Sequence, residues 1–288
     1  MNSDIPEVRA RPGTTSFERD AFSAEVRASK IISNLERAES KDHSYEIVNV
    51  GVSRFDELIS SNGIERGSTI LISGGCGTGK TTFTLQSLWH GLTHGEKCIY
   101  ISFEEDPKKI RVHMKQNFGW DFKKYEDLGT MKFIRLDPIK IARAVEAARF
   151  KKEGSLMIEV EPIRLPFVPH RIGIDSLSAL SIAFENEENY RKYIRQLFEA
   201  FEAYNSINFI LTETEQNPTI YSRAGVEEFL ADGVIVLYNI KIKAHRENAL
   251  EILKLRSSGH VKRLVPYEIN ETGVIIYPDK TMESKSIY

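Results

Sequence analysis

The sequence predicts an α/β fold: a mainly parallel sheet flanked by helices, with an antiparallel β extension at the C-terminal end. Three observations carry this prediction. A glycine-rich loop, Gly74 to Thr82, lies between a short apolar run and a helical pattern. Downstream of it, apolar β-branched runs alternate with helical patterns, the order that builds a parallel sheet covered on both faces. The last ~45 residues instead read as strands separated by tight turn signals, which is antiparallel in character. With 288 residues and 41% hydrophobic content the chain can bury a sizeable core. No linker-like composition divides it. We expect an N-terminal extension over residues 1–44, one α/β domain over 45–280 and a tail over 281–288.

Each element has its own signal. Thr15 and Glu18 form a capping box, and Phe17, Ala21, Ala24, Ala28, Ile31 and Leu35 follow at helical spacing, so an amphipathic helix is expected to end near Ser40. Gly51 to Leu58 reads as a turn and short helix. Ser68 to Ser73 is a buried-strand run, and Thr82 to His94 carries Phe83, Leu85, Leu88, Trp89 and Leu92 as a helix. Lys97 to Phe103 is the next strand. Asp106 then stands as an N-cap with Pro107 at the first helical position, opening a helix to Phe118. Lys132 to Leu136 is a strand, and Pro138 opens a helix to Lys152. Residues 155–169 contain three prolines and are expected as an exposed hairpin or edge insertion. His170 to Asp175 is a strand ending in an acid, Glu188 to Tyr204 a helix, and Ile207 to Thr212 a strand. Residues 213–225 are expected as a polar loop. Gly233–Lys243 and Ala249–Arg256 are expected to pair around a charged turn, and Arg263–Asn270 with Val274–Tyr277 as a hairpin across Glu271-Thr272-Gly273.

The loop states its chemistry. Gly74, Gly79, Lys80 and Thr81 fill the G-x-x-x-x-G-K-T pattern of a phosphate-binding loop. Backbone N–H groups and a helix N-terminus face an anion there, and glycine lets the chain curl around it. Lys80 is expected to reach the β- and γ-phosphates, and the Thr81 hydroxyl to ligate Mg²⁺. An acid near Thr81 is needed for the cation, and Asp175 at a strand end suits that role; its alternative is a helix cap. Ser176 follows it, so a glutamate directly after the metal acid is absent. Glu104 and Glu105 are the candidates to activate water, because they close the strand after the loop helix and ligands bind at that end of a parallel sheet. The alternative for the pair is a charged loop at a helix start.

Composition removes several classes. Formal net charge is −2 and no basic-aromatic stripe is evident, so nucleic acid is disfavoured as a partner. Cys76 and Cys98 have neither disulfide nor metal spacing, which points to a reducing cytoplasm. No apolar run is long enough to span a membrane, and residues 1–13 lack the apolar core of a signal peptide.

Several segments together resemble the KaiC family of RecA-like ATPases over roughly residues 47 to 279: the loop, SFEE at Ser102–Glu105, IGIDS at Ile172–Ser176, AGVEEFLADGVIVL at Ala224–Leu237 and EILKLRSSGHVK at Glu251–Lys262. The GVEEF and KLR segments are more diagnostic than the loop. The resemblance implies a RecA-like fold, ATP and Mg²⁺ as ligands, and a homohexameric ring with ATP between adjacent subunits. It implies ATP-binding by Gly75, Gly77, Thr78, Gly79, Lys80, Thr81 and Thr82, and Mg²⁺ held through Thr81 and Asp175. It further implies that Lys254, Leu255, Arg256, Ser258 and His260 reach a neighbour's nucleotide. Lys254 and Arg256 alternate on a strand and so share a face, as that role needs. Some members carry two tandem copies, the second autophosphorylated on adjacent Ser and Thr; Val226-Glu227-Glu228 stands at the comparable place here and resembles the first, hydrolysing copy. The N-terminal helix and the 155–169 insertion have no assignable counterpart. The expected activity is Mg²⁺-assisted ATP hydrolysis. The alternatives are a nucleotide-gated assembly switch read by an unidentified protein partner, a DNA-processing RecA relative, and a serine/threonine (auto)kinase.

Overall fold

The computed structural model describes residues 46–151, 165–215, 221–222 and 225–282. The expected N-terminal helix and most of the 155–169 insertion lie outside the described residues, which belong to one compact unit, Glu46–Tyr288. Two short strands, β1 (Ile47–Val48) and β2 (Ile64–Glu65), pair antiparallel and frame a single 3-10 turn at Asp56–Leu58. There follow β3 (Thr69–Gly74), α1 (Lys80–Thr93), β4 (Cys98–Ser102), α2 (Pro107–Phe118), α3 (Phe122–Asp127), β5 (Met131–Arg135) and α4 (Pro138–Lys151). Then come β6 (Arg171–Asp175), α5 (Leu177–Ala183), α6 (Glu187–Glu202), β7 (Ile207–Glu213), α7 (Glu227–Leu230), β8 (Gly233–Ile242), β9 (His245–Leu255), β10 (Val265–Asn270) and β11 (Gly273–Ile276).

Strands β3 to β11 form one nine-stranded sheet in the order β11-β10-β9-β8-β3-β7-β6-β4-β5. Strands β5, β4, β6, β7, β3 and β8 run parallel, and β9, β10 and β11 are added antiparallel. This is the expected mainly parallel sheet with an antiparallel extension. Side chains alternate between faces along a strand, and the core divides accordingly. Ile70 and Ile72 of β3, with Cys98 and Tyr100 of β4, join the cluster that includes Phe83, Leu85 and Leu88 of α1. Leu71, Ile99 and Ile101 join the opposite cluster, filled by Tyr190, Ile194, Leu197 and Phe201 of α6. Both faces of the central strands are therefore buried, which is why their sequence reads as continuous apolar runs.

Two details depart from expectation. The segment 245–248 is strand rather than turn: Lys243 takes a left-handed φ of 53°, so Lys243-Ala244 alone reverse the chain and β9 starts at His245. Its charged residues tolerate this because the outer end of β9 pairs with β8 but extends past β10. Helices α3 and α5 carry no strong periodic signal, being only six and seven residues long. Among the described residues no helix is long and apolar enough to cross a membrane.

One buried cation ties the segment at Asn49 and Val50 to the sheet. Arg171, at the start of β6, is 2% exposed. Its guanidinium donates to the Val50 carbonyl (2.9 Å), the Asn49 carbonyl (2.9 Å), Ser87 Oγ on α1 (2.9 Å) and the Glu96 carboxylate. The pair with Glu96 crosses α1 at Gly91, where a Cβ would lie 2.4 Å from Glu96 Oε2. Burial pushes Glu96 upward, but the hydrogen bond and charge of Arg171 outweigh it, and its pKa falls below the usual carboxylate range. Removing one partner of a buried, hydrogen-bonded pair leaves the other uncompensated. Arg171→Ala is expected to lower folding stability by about 3 kcal/mol or more, read as a lower urea midpoint.

Candidate functional site

The parallel strands end together at one edge of the sheet. Gly74 of β3 is paired with Glu213 of β7, and Ser102 of β4 with Asp175 of β6. The loop from Gly75 to Gly79 leaves β3 at this edge and opens α1 at Lys80. Gly77 (φ 76°) and Gly79 (φ 83°) adopt the left-handed region that favours glycine. A Cβ at Gly79 would also lie 2.4 Å from Ile269 Cδ1. Thr78 closes the loop on itself: its hydroxyl donates to the Gly75 carbonyl at 2.9 Å, while the Tyr267 hydroxyl donates to the Thr78 carbonyl. Gly79 caps α1 without a side-chain bond, so the first N–H groups of the helix, at Lys80, Thr81 and Thr82, face an open cradle suited to an anion.

Lys80 is folded over this cradle. Its ammonium donates to the carbonyls of Gly74 (2.9 Å) and Gly75 (3.0 Å). Burial lowers its pKa, while the charges of Glu213 and Asp175 pull it back up. Thr81 Oγ1 donates to Asp175 Oδ2 at 2.7 Å. Asp175 therefore meets the loop helix instead of capping α5, which begins after Ser176 with no side-chain cap. The Asp175–Ser176 peptide is cis. Ser176 Oγ in turn donates to Glu104 Oε1 at 2.5 Å, which brings the glutamate next to the Asp175 segment. Glu105 is turned elsewhere: its backbone N–H and carbonyl both bond Ser102 Oγ, and its carboxylate lies 3.6 Å from His113 Nδ1. Cys76 is exposed in the loop and Cys98 is buried in β4.

The five residues of the KLR segment lie elsewhere. Leu255 is paired with Gly233, and Gly233 with Ile70. Ile70 precedes Gly74 by four residues, about 13 Å along β3. Leu255 and its neighbours thus sit toward the edge opposite the phosphate loop of the same chain. Lys254 Nζ donates to the carbonyls of Glu228 (3.0 Å) and Ala231 (2.5 Å), and the Arg256 guanidinium to the Phe229 carbonyl (2.9 Å) and Asp232 Oδ1 (3.2 Å). Ser258 Oγ accepts the Ser61 N–H at 3.1 Å. His260 bridges to Ile59, and its Nδ1 is buried with no partner among the described residues.

Four residues at the loop edge escaped sequence reasoning: Tyr100, Ser176, Glu213 and Tyr267. Tyr100 donates its hydroxyl to Asp175 Oδ2 at 2.7 Å. Its ring lies over Gly173, where a Cβ would come within 2.8 Å of Tyr100 Cδ2. The small residue two before the acid is the one trace of this contact in the sequence. Glu213 reads as loop in the sequence because the strand run ends in polar residues; its pairing with Gly74 makes it the last residue of β7.

Comparison with known proteins agrees with this geometry. The family model described as the KaiC ATPase matches residues 48–281. A circadian clock protein KaiC3 of Synechocystis is 31% identical over 239 residues, covering 83% of this chain and 47% of that protein. The chain thus spans about half the length of that clock relative. A UPF0273 protein of Aeropyrum pernix is 31% identical over 241 residues, covering 82% of this chain and 95% of that protein. The crystal structure of a KaiC-like protein from Pyrococcus horikoshii superposes with a TM-score of 0.67 at 31% identity, covering 81% of this chain and all of that one. A RecA-like sheet, a phosphate loop at its edge and a family match over most of its length together make this chain a member of the KaiC family of ATPases.

Proposed function

We propose that the chain binds ATP with Mg²⁺ and hydrolyses its β–γ bond at the joint between adjacent subunits of a homohexameric ring. The observation that carries this reading is the meeting of Lys80, Thr81, Asp175 and Glu104 at one sheet edge. Thr81 and Asp175 fit Mg²⁺, since both offer hard oxygen donors 2.7 Å apart and among the described residues Asp175 Oδ1 accepts no hydrogen bond. The cation, when bound, neutralises charge on the β- and γ-phosphate oxygens. The loop amides and Lys80 hold those oxygens, with the ammonium exchanging the Gly74 and Gly75 carbonyls for phosphate. Glu104, oriented by Ser176, takes a proton as water attacks the γ-phosphorus, and the bond to the bridging oxygen breaks with its electrons leaving on ADP. Glu105, the other candidate for the base, has its carboxylate beside His113.

The position of Lys254 and Arg256 supports a shared site. They lie toward the far edge from their own loop, and in a head-to-tail ring that edge can face the next subunit's nucleotide. Cations supplied in this way stabilise charge on the transferring phosphoryl group. One observation favours a second reading, an assembly switch with negligible turnover: both side chains already hold carbonyls of their own chain. Phosphate release measured beside light scattering separates the two. Assembly on ATP with no phosphate release supports the switch.

Lys80→Ala is expected to abolish ATP binding in an equilibrium titration. Glu104→Gln with Glu105→Gln should keep binding and lose turnover by roughly 10²- to 10⁴-fold; full turnover in that double variant sinks the assignment of the base. Mixing Lys80→Ala subunits with Lys254→Ala/Arg256→Ala subunits is expected to restore part of the ATPase activity that each lacks alone. One kind of joint in such a ring has an intact loop facing intact cations. No recovery on mixing, with co-assembly verified by mass, rules out a site shared in this way.

A further inference from the structure

A buried phenol shares the Asp175 oxygen that binds Thr81. Tyr100 is fully buried in β4, its ring 5.6 Å from that of Phe133 and fitted over Gly173. Its hydroxyl donates to Asp175 Oδ2 at 2.7 Å, and Thr81 Oγ1 donates to the same oxygen at 2.7 Å. Two hydroxyls thus converge on Oδ2, while Oδ1 accepts no hydrogen bond among the described residues.

We propose that Tyr100 is a positioning residue for the cation: it fixes the Asp175 carboxylate with Oδ2 turned to the protein and Oδ1 left for the hydrated metal. The inference rests on the reading of Thr81 and Asp175 as the Mg²⁺ site. A carboxylate held by one donor can rotate about its terminal bond, which is broad and roughly two-fold. A second donor, fixed by a packed aromatic ring, removes that freedom. The donor is also neutral. A lysine or arginine in its place would cancel the charge that attracts the cation, whereas a phenol orients the carboxylate and leaves its charge available. A phenol is protonated at neutral pH and so is available as a donor. Outer-shell partners of metal ligands act in this way, and their loss commonly weakens metal binding by 10- to 100-fold.

Tyr100→Phe tests the proposal because it keeps the ring and removes only the hydroxyl. Mn²⁺ binding is followed by the loss of the free-ion paramagnetic resonance signal, at saturating non-hydrolysable ATP analogue and well below the lower melting midpoint of the two proteins. The expected result is Mn²⁺ binding weakened about ten-fold, with affinity for the analogue in EDTA unchanged. Equal Mn²⁺ affinity in the two proteins overturns the proposal, whatever happens to the melting midpoint, since the hydroxyl would then serve packing alone. The underlying reading fails separately: it falls if Asp175→Asn binds Mn²⁺ as tightly as the unsubstituted chain, or if that chain binds none.

Discussion

The site depends on one constraint, the parallel register of β3, β4, β6 and β7. Pairing of Gly74 with Glu213 and of Ser102 with Asp175 brings the ends of four strands to one edge. Each end delivers a different group: a glycine loop, a pair of glutamates, an aspartate and a further glutamate. A slip of one residue in β6 would turn Asp175 to the opposite face, because side chains alternate with a period of two. It would also move Ile172 and Ile174 out of the α6-side cluster that now buries them completely. The apolar pattern of β6 therefore fixes the position of its acid. Packing and chemistry are specified by the same alternation.

The electrostatics of the cradle follow from the same geometry. Lys80 is buried, and burial alone disfavours its charge. Glu213 and Asp175 offset that effect, and two main-chain carbonyls take its hydrogen bonds. The Gly74 carbonyl has a second donor, the Thr214 N–H at 3.2 Å, so it stays paired when the ammonium moves. The carbonyls are neutral and the phosphates carry full charge, so a transfer of the ammonium from one to the other strengthens its hydrogen bonds. Glu213 works against this by repelling an arriving anion. Its end-on place beside Gly74 makes it the one acid of the cradle with no assigned role in holding or cleaving ATP.

Local signals were legible in the sequence, and long-range ones were not. The glycine loop reads directly, because its glycines answer to backbone conformation. So does the start of α2, where Asp106 accepts the Lys108 N–H at 2.8 Å behind Pro107. The parallel sheet follows from apolar runs of strand length. The Tyr100–Asp175 and Ser176–Glu104 contacts join residues 75 and 72 positions apart, and no spacing rule reaches across a strand pairing that is unknown in advance. In the sequence Tyr100 is one more aromatic in a buried strand. The turn between β8 and β9 was hidden for a different reason. Charged residues usually mark a loop, yet His245, Arg246 and Glu247 lie where β9 extends past β10 and can face solvent while still in a strand.

The KLR segment holds the end of a short helix. Lys254 and Arg256 hold the carbonyl end of α7, where a cation is favoured by the unpaired C=O groups. Helix α7 is anchored from the other side by Glu227, which is wholly buried and accepts the Tyr190 hydroxyl at 2.6 Å. Its C-terminal end is therefore the part free to respond, and it carries Phe229, 72% exposed. A nucleotide presented by a neighbouring subunit would compete with these carbonyls for the same donors. Phosphate oxygens are the stronger acceptors, so the cations would leave α7, and the helix end would lose up to three hydrogen bonds to Lys254 and one to Arg256. Occupancy of one site would then be felt at a helix of the adjacent subunit, through donors that cannot serve both sets of acceptors at once.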